Sequence, residues 1–273
     1  MKYSTTFFLF SFLMLFNHSF GQKKYNRMVW HEEFNYTGLP DSTIWNYENG
    51  FVRNQESQYY TKARKENAYV HDGYLEIKAI KENYPNKFYL KGSTDWRKKA
   101  PNAAYTSACI TTKNLHTWRY GKIVVRAKLP MGLGVWPAIW MLGAEKYKWP
   151  RNGEIDIMEL IGREPTHIYG TAHYAADNKS GHKSSGGVIS VNDLSDAFHN
   201  YAVVWNKHTI KFMVDDSVYH SFNTSPAKYK GENPFRKKFY LLLNLAMGGS
   251  WGGPIGENVL PQSFLVDYVR IYK

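Results

Sequence analysis

Apolar and polar positions alternate along this chain in short segments that fit strands better than helices. A strand turns successive side chains to opposite faces, so a half-buried strand reads apolar, polar, apolar. Ile123, Val125, Ala127 and Leu129 share one parity, while Arg126 and Lys128 take the other. Leu75, Ile77 and Ala79 alternate with Glu76 and Lys78, and Ile210, Phe212 and Val214 repeat the pattern. Residues 68–80 predict a hairpin turning at His71-Asp72-Gly73, and His199–Trp205 with Thr209–Val214 a second one. Further strands are expected over 28–34, 105–112, 135–142, 154–160, 166–174, 218–222 and 264–272. Phe239–Met247 is apolar almost throughout, which predicts a strand covered on both faces. Asp41-Ser42-Thr43 predicts one helical turn, and no helix longer than about three turns is expected. Residues 83–104 and 175–187, rich in Pro, Gly, Ser, Asn and Lys, predict loops, and 248–256 a Gly-rich loop carrying Trp251. Many short strands between turn signals predict an all-β fold: a β-jelly-roll sandwich of two antiparallel sheets with a concave face.

Composition changes this picture little. With 273 residues and 43% hydrophobic content, one large core in one domain is expected. Nine Trp and 21 Tyr suit either sheet packing or a surface on which sugar rings stack. The single cysteine, Cys109, rules out an internal disulfide. The net charge of +12 is spread over the chain, with short clusters only at Arg97-Lys98-Lys99 and Arg236-Lys237-Lys238. A solvated basic surface fits this better than a nucleic-acid interface, for which no motif is present; a sulfated polysaccharide stays open. Lys2, the apolar run from Phe7 to Phe16, and Ser19 and Gly21 ahead of Gln22 predict a secretory signal peptide over 1–21. The run is too short to span a membrane. No cysteine stands at the cleavage point, so a lipid anchor is not expected and 22–273 would be released as a secreted chain, periplasmic or extracellular.

One strand carries unusual chemistry. In Gly153-Glu154-Ile155-Asp156-Ile157-Met158-Glu159-Leu160, three carboxylates fall between Ile, Met and Leu. Acids on a buried strand are costly unless a site uses them. Glu154 and Asp156 share a face, whereas Glu159, five positions on, would face the other way on a regular strand. One inserted residue, a β-bulge, resets the parity and gathers all three on one face. Like charges about 6–7 Å apart along a strand raise at least one pKa, which suits a general acid beside a nucleophile. An acidic solvent-facing edge strand is the bland alternative. A metal site is weaker, because the segment has no neighbouring His or Cys in sequence.

These residues resemble the signature of glycoside hydrolase family 16, in the order Glu154-Ile155-Asp156-Ile157-Met158-Glu159. The segments 134–141, 170–173, 243–249 and 266–270 resemble the same family in the same order, so the likeness covers essentially all of 28–273. It implies a concanavalin-like jelly roll and retaining, endo-acting hydrolysis of β-linked polysaccharides, with Glu154 as nucleophile, Glu159 as acid/base and Asp156 supporting their charge state. The extra residue before Glu159 resembles the laminarinase-like and algal-galactanase branches, and the phrases 149–153 and 170–174 look most like laminarinases, which cleave β-1,3 and mixed β-1,3-1,4 glucans.

The likeness implies further roles. Trp136 and Trp140 would line the cleft, Trp251 would stack on a sugar, Asn54 and Glu56 would hydrogen-bond sugar hydroxyls, and His173 would face the acids from the next strand. Asp267 is in register with Leu265, Val269 and Ile271 on the last strand, and a buried Asp needs partners; Glu33 and Asp267 are candidates for a structural Ca²⁺ near the chain ends, no cofactor is needed for the chemistry, and a monomer is expected. One departure stands out: many laminarinases place Arg where this chain has Cys109, which cannot supply that cationic donor. Two other readings stay open, the same chemistry on agarose, porphyran or carrageenan, and a non-catalytic glucan-binding module.

Overall fold

The computed structural model describes residues 25–177 and 181–273; the expected signal peptide, 1–21, lies outside them. In chain order the strands are β1 (Met28–Glu32), β2 (Asn46–Tyr47), β3 (Gln58–Tyr60), β4 (Ala68–His71), β5 (Tyr74–Pro85), β6 (Asn102–Ser107), β7 (Cys109–Thr111), β8 (Gly121–Lys128) and β9 (Val135–Gly143). They continue with β10 (Glu154–Glu159), β11 (His167–Ala175), β12 (His182–Ser190), β13 (His199–Trp205), β14 (Thr209–Val214), β15 (Ser217–Asn223), β16 (Phe239–Met247) and β17 (Gln262–Tyr272). Two short helices, α1 (Trp96–Lys99) and α2 (Gly249–Gly252), lie in connections.

Two sheets form, in which all but one of the strand pairings are antiparallel; β3 and β6 run parallel. The larger sheet runs β15-β14-β13-β8-β17-β5-β6-β3, with β1 on β17 and β4 on β5; the smaller runs β12-β11-β10-β9-β16-β7-β2. The core lies between them. Ile123, Val125 and Ala127 of β8 face Ile139 and Met141 of β9 and Leu241, Leu243 and Leu245 of β16 across it. The outward positions of the smaller sheet are also covered, since Ala138, Trp140, Tyr240 and Leu242 pack in a second cluster with Tyr60 and Cys109. That double cover is why β16 is buried at every position, as its apolar run predicts. No helix among the described residues is long and apolar enough to cross a membrane.

The 68–80 hairpin turns at Asp72-Gly73, where both residues take the positive φ such a turn needs. Four expectations need correction. Residues 105–112 are not one strand: β6 ends at Ser107, and the chain crosses at Ala108 into β7 of the other sheet. The 83–104 segment is only partly loop, since β5 continues to Pro85 and β6 begins at Asn102. Part of 175–187 is strand as well, because β12 pairs along the whole of β11. Its Ser- and Gly-rich sequence reflects a crowded neighbourhood: a Cβ at Gly187 would lie 2.7 Å from Cβ of His220. Finally, β17 shifts register between Val266 and Tyr268, so Asp267 does not share the inward parity of Val269 and Ile271.

Candidate active site

The acidic strand β10 lies inside the smaller, concave sheet, between β9 and β11 and next to its central strand β9. Its register shifts between Asp156 and Glu159 against both neighbours. The residues between them, Ile157 and Met158, both point into the core between the sheets. The expected bulge is therefore present, and it returns Glu159 to the face that carries Glu154 and Asp156. Opposite them on β9 stand Leu142, Trp140 and Ala138, paired with Glu154, Asp156 and Glu159 respectively. Together with Trp136 and Asn244 these side chains line a cleft of about 360 Å³, closed on one side by Arg53, Asn54 and Glu56 and bordered by Trp149.

The floor is tied together by hydrogen bonds. Trp140 Nε1 donates to Asn244 Oδ1 at 2.7 Å, and Asn244 Nδ2 donates to the Tyr60 hydroxyl at 3.0 Å. Tyr60 donates to Glu56 at 3.3 Å, and Gln58 Nε2 donates to the same carboxylate oxygen at 2.7 Å. Asn54 Nδ2 donates to the other Glu56 oxygen at 3.2 Å. Such a network fixes the rotamers of the groups that face a ligand. The Gly-rich 248–253 segment docks on this loop, with Ser250 N donating to Asn54 O at 2.8 Å. Gly249 permits the approach: its φ is +78°, and a Cβ there would lie 2.9 Å from Asn54 O.

The acids differ in their partners. Glu159 Oε1 accepts from Trp136 Nε1 at 3.1 Å. His173 Nε2 lies 3.1 Å from Asp156 Oδ2 and 4.0 Å from Glu154 Oε1. His182 stands behind it, 2.9 Å from His173 Nδ1. Burial raises the pKa of all three acids, and the Asp156 charge pushes Glu154 and Glu159 further up, Glu159 to about 8. His173 opposes this at both glutamates, and Arg53 opposes it at Glu154. The resting site thus holds fewer than three negative charges, and His173 lies at the Glu154–Asp156 end of it.

Seven of the nine residues nominated from sequence for the cleft line it directly. His173 touches it through Asp156. Trp251 stands beside it, edge-on to Trp136 at 5.3 Å and to Tyr169 at 5.2 Å, near the Glu159 end of the strand. Arg53, Trp149 and Asn244 were not nominated. Asn244 had a signal, as the one side chain with hydrogen-bonding oxygen and nitrogen inside an otherwise apolar β16 apart from Tyr240. Arg53 had none in sequence, because its position follows only from the fold of the 48–58 loop.

Calcium needs six to eight oxygen ligands, and the side chains of Glu33 and Asp267 do not fit it. Arg270 Nε and Nη2 donate to the two Glu33 oxygens at 2.9 and 2.7 Å. Asp267 closes on Arg126. Among the described residues, three metal-ligating side chains converge instead at Glu154, Asp156 and His173, whose ligand atoms lie within 4.8 Å of one another.

Residues 55–269 match the family described as Glycosyl hydrolases family 16. Over 258 residues the chain is 42% identical to a beta-glucanase of Rhodothermus marinus, covering 90% of this chain and 85% of that protein. The X-ray structure of the laminarinase from Rhodothermus marinus overlays with a TM-score of 0.78 at 40% identity, over 92% of this chain and 99% of that one. A solved structure described as "Prominent members of the human gut microbiota express endo-acting O-glycanases to initiate mucin breakdown" overlays with a TM-score of 0.85 at 41% identity, over 90% of each chain.

Proposed function

The chain belongs to glycosyl hydrolase family 16, and from that premise we propose that it is a retaining endo-hydrolase of β-linked glycans, acting on internal β-1,3 and mixed β-1,3-1,4 glucosidic bonds of polysaccharides such as laminarin. The observation that carries this reading is the bulge between Asp156 and Glu159, which gives Glu154 and Glu159 a common face in a cleft walled by Trp136 and Trp140. Retention needs two carboxyl groups flanking the scissile bond, one as nucleophile and one as acid then base, and no cofactor.

Glu154 is the nucleophile in this reading. Its carboxylate attacks the anomeric carbon, the glycosidic C–O bond breaks, and a glycosyl-enzyme ester forms. Glu159, protonated in the resting site, gives its proton to the leaving oxygen, then takes one from the water that cleaves the ester. Burial, and after it the Asp156 charge, keeps the Glu159 pKa high, and His173 stands against the Glu154–Asp156 end. Trp136 orients Glu159 through its Nε1–H. Asn54 and Glu56 offer hydrogen bonds to sugar hydroxyls, and Trp251 extends the aromatic wall. Export as a monomer through the leader at 1–21 belongs to the same reading.

A second reading keeps the chemistry and changes the glycan to a β-galactosyl and N-acetylhexosaminyl chain of the mucin O-glycan type. The overlay at TM-score 0.85, against 0.78 for the laminarinase at nearly equal identity, favours it. Product analysis on laminarin, lichenan, curdlan, agarose, carrageenan and mucin O-glycans tests both readings, with Glu154→Gln as control. Release of reducing ends that stops in Glu154→Gln supports the hydrolase. Unchanged release sinks the nucleophile assignment, and wild-type inactivity on every glycan favours a binding module.

A further inference from the structure

A cation from another element stands over the neutral side chain at position 109. Cys109 is fully buried under the cleft floor, in one cluster with Trp140, Tyr60 and Leu242. Above that cluster lies the guanidinium of Arg53, 4.9 Å from the centroid of the Trp140 ring. Its Nη2 donates to both oxygens of Glu48. Glu48 is itself anchored to the strand that lacks the arginine, since its backbone N donates to Cys109 O at 3.0 Å. The 48–53 loop, anchored on β7, thus places a guanidinium–carboxylate pair over the site of Cys109.

Two consequences follow for a bound sugar. Trp140 is only 7% exposed, and the guanidinium covers a face that would otherwise stack on a sugar ring. Arg53 lines the cleft, and its Nε and Nη1 donors have no hydrogen-bond partner among the described residues. The subsite across β9 from Glu154 therefore presents hydrogen-bond donors where an open Trp140 would present an apolar platform. Glu48 already balances the Arg53 charge, so the matching acceptor is a neutral oxygen rather than a sulfate or carboxylate.

Sugar stereochemistry turns this into a selection. A β-glucosyl ring has equatorial hydroxyls and axial C–H bonds on both faces, so either face can lie on an aromatic platform. An axial hydroxyl makes one face of a galactosyl ring polar and leaves the other apolar; on the polar face it, or an acetamido carbonyl, puts an oxygen acceptor within reach of a flat donor. We propose that Arg53 is a specificity-determining residue of this subsite, selecting a neutral sugar that presents oxygen acceptors to the cleft floor over one that presents an apolar glucosyl face. The proposal rests on the hydrolase reading and decides between its two substrate classes.

The test measures affinity, so it does not depend on turnover. In a Glu159→Gln background, calorimetry compares laminaritetraose, a neutral tetrasaccharide of β-galactosyl-N-acetylglucosamine repeats, and its 6-sulfated form, with and without Arg53→Gly. Loss of a charged donor lowers affinity for the neutral galactosyl probe by roughly ten- to hundredfold. Laminaritetraose, gaining the uncovered Trp140, binds as well or better. Arg53→Lys, which keeps the charge without the planar fork, falls between; it also serves if the glycine variant does not fold. Equal factors for both neutral probes in either variant, or no binding of the galactosyl probe by the parent, would overturn the proposal. Arg53-dependent preference for the sulfated form overturns its neutral-acceptor half. Failure of the hydrolase reading shows separately, as absence of wild-type cleavage of either glycan.

Discussion

Two strands of this molecule, β10 on the concave sheet and β17 on the convex one, each carry an aspartate beside a β-bulge, and the two aspartates meet opposite surroundings. On β10 the bulge keeps Asp156 and Glu159 on one apolar face, with Asp156 only 3% exposed and the His173 ring 3.1 Å from its carboxylate. On β17 the bulge at Asp267 turns the carboxylate outward, 31% exposed, onto Arg126. The neighbouring Glu33, gripped by Arg270, has its pKa lowered by that guanidinium, whereas burial carries Glu159 to about 8. A bulge therefore decides only where a side chain points. The facing residues, Trp, Leu and Ala on β9 but Arg and Lys on β8, decide whether the acid is a stable ion or a proton donor.

The sharpest way to break this contrast is to neutralise the acids one at a time. Glu154→Gln and Glu159→Gln each lower kcat by at least about a thousandfold while circular dichroism stays native; kcat within tenfold of wild type for either would remove that residue from the chemistry. Their effect on stability runs the other way from ordinary core damage. Glu159 keeps its proton when folded up to about pH 8, but loses it near 4.3 when unfolded. Its contribution to stability is full below the unfolded value and is lost as pH rises through about 8. Glu159→Gln should thus raise Tm by a few degrees at pH 8–9 and by less at pH 5; a Tm that falls equally at both would contradict the burial argument.

A smaller effect is expected from Asp156. Its charge raises the Glu159 pKa, and the acid must be protonated to act, so the alkaline limb of kcat/KM in wild type falls as pH rises through about 8. Asp156→Asn removes that charge, moves the limb to lower pH and costs roughly ten- to hundredfold in rate. A rate loss with an unmoved limb would make Asp156 a packing residue. Trp136→Phe deletes the hydrogen bond that lowers the Glu159 pKa. The limb should shift upward, with a rate loss of about tenfold. The smallest effect belongs to the convex side: Asp267→Asn changes activity less than about twofold and stability by at most about 1 kcal/mol, as half-exposed ion pairs do.

The same two strands show how far sequence reasoning reaches. On β10 three acids bracketed by Ile and Met left a bulge as the economical way to gather them, so both catalytic candidates were legible. On β17 nothing in Leu265-Val266-Asp267-Tyr268-Val269 marked where the parity breaks, and simple alternation put Asp267 on the wrong face. The sandwich was readable because β8, β5 and β14 alternate cleanly. β12 was not, since an edge strand of Ser and Gly looks like a loop until the crowding by His220 and Thr171 is seen. His173 and Asp156 meet across β10 and β11, as parity allowed; Arg53 reaches Trp140 through the path of an irregular loop, which no periodicity encodes.

If the β10 bulge delivers a nucleophile and a separate acid to one cleft, the glycosyl-enzyme intermediate can be trapped on a single carboxylate. The enzyme is incubated with a 2-deoxy-2-fluoro glycoside of a cleaved oligosaccharide, digested, and the modified peptide mapped by mass spectrometry. A glycosyl ester on Glu154 is the predicted result. An ester on Asp156 or Glu159, or turnover with inversion of the anomeric configuration and no adduct, would rule out Glu154 as the nucleophile.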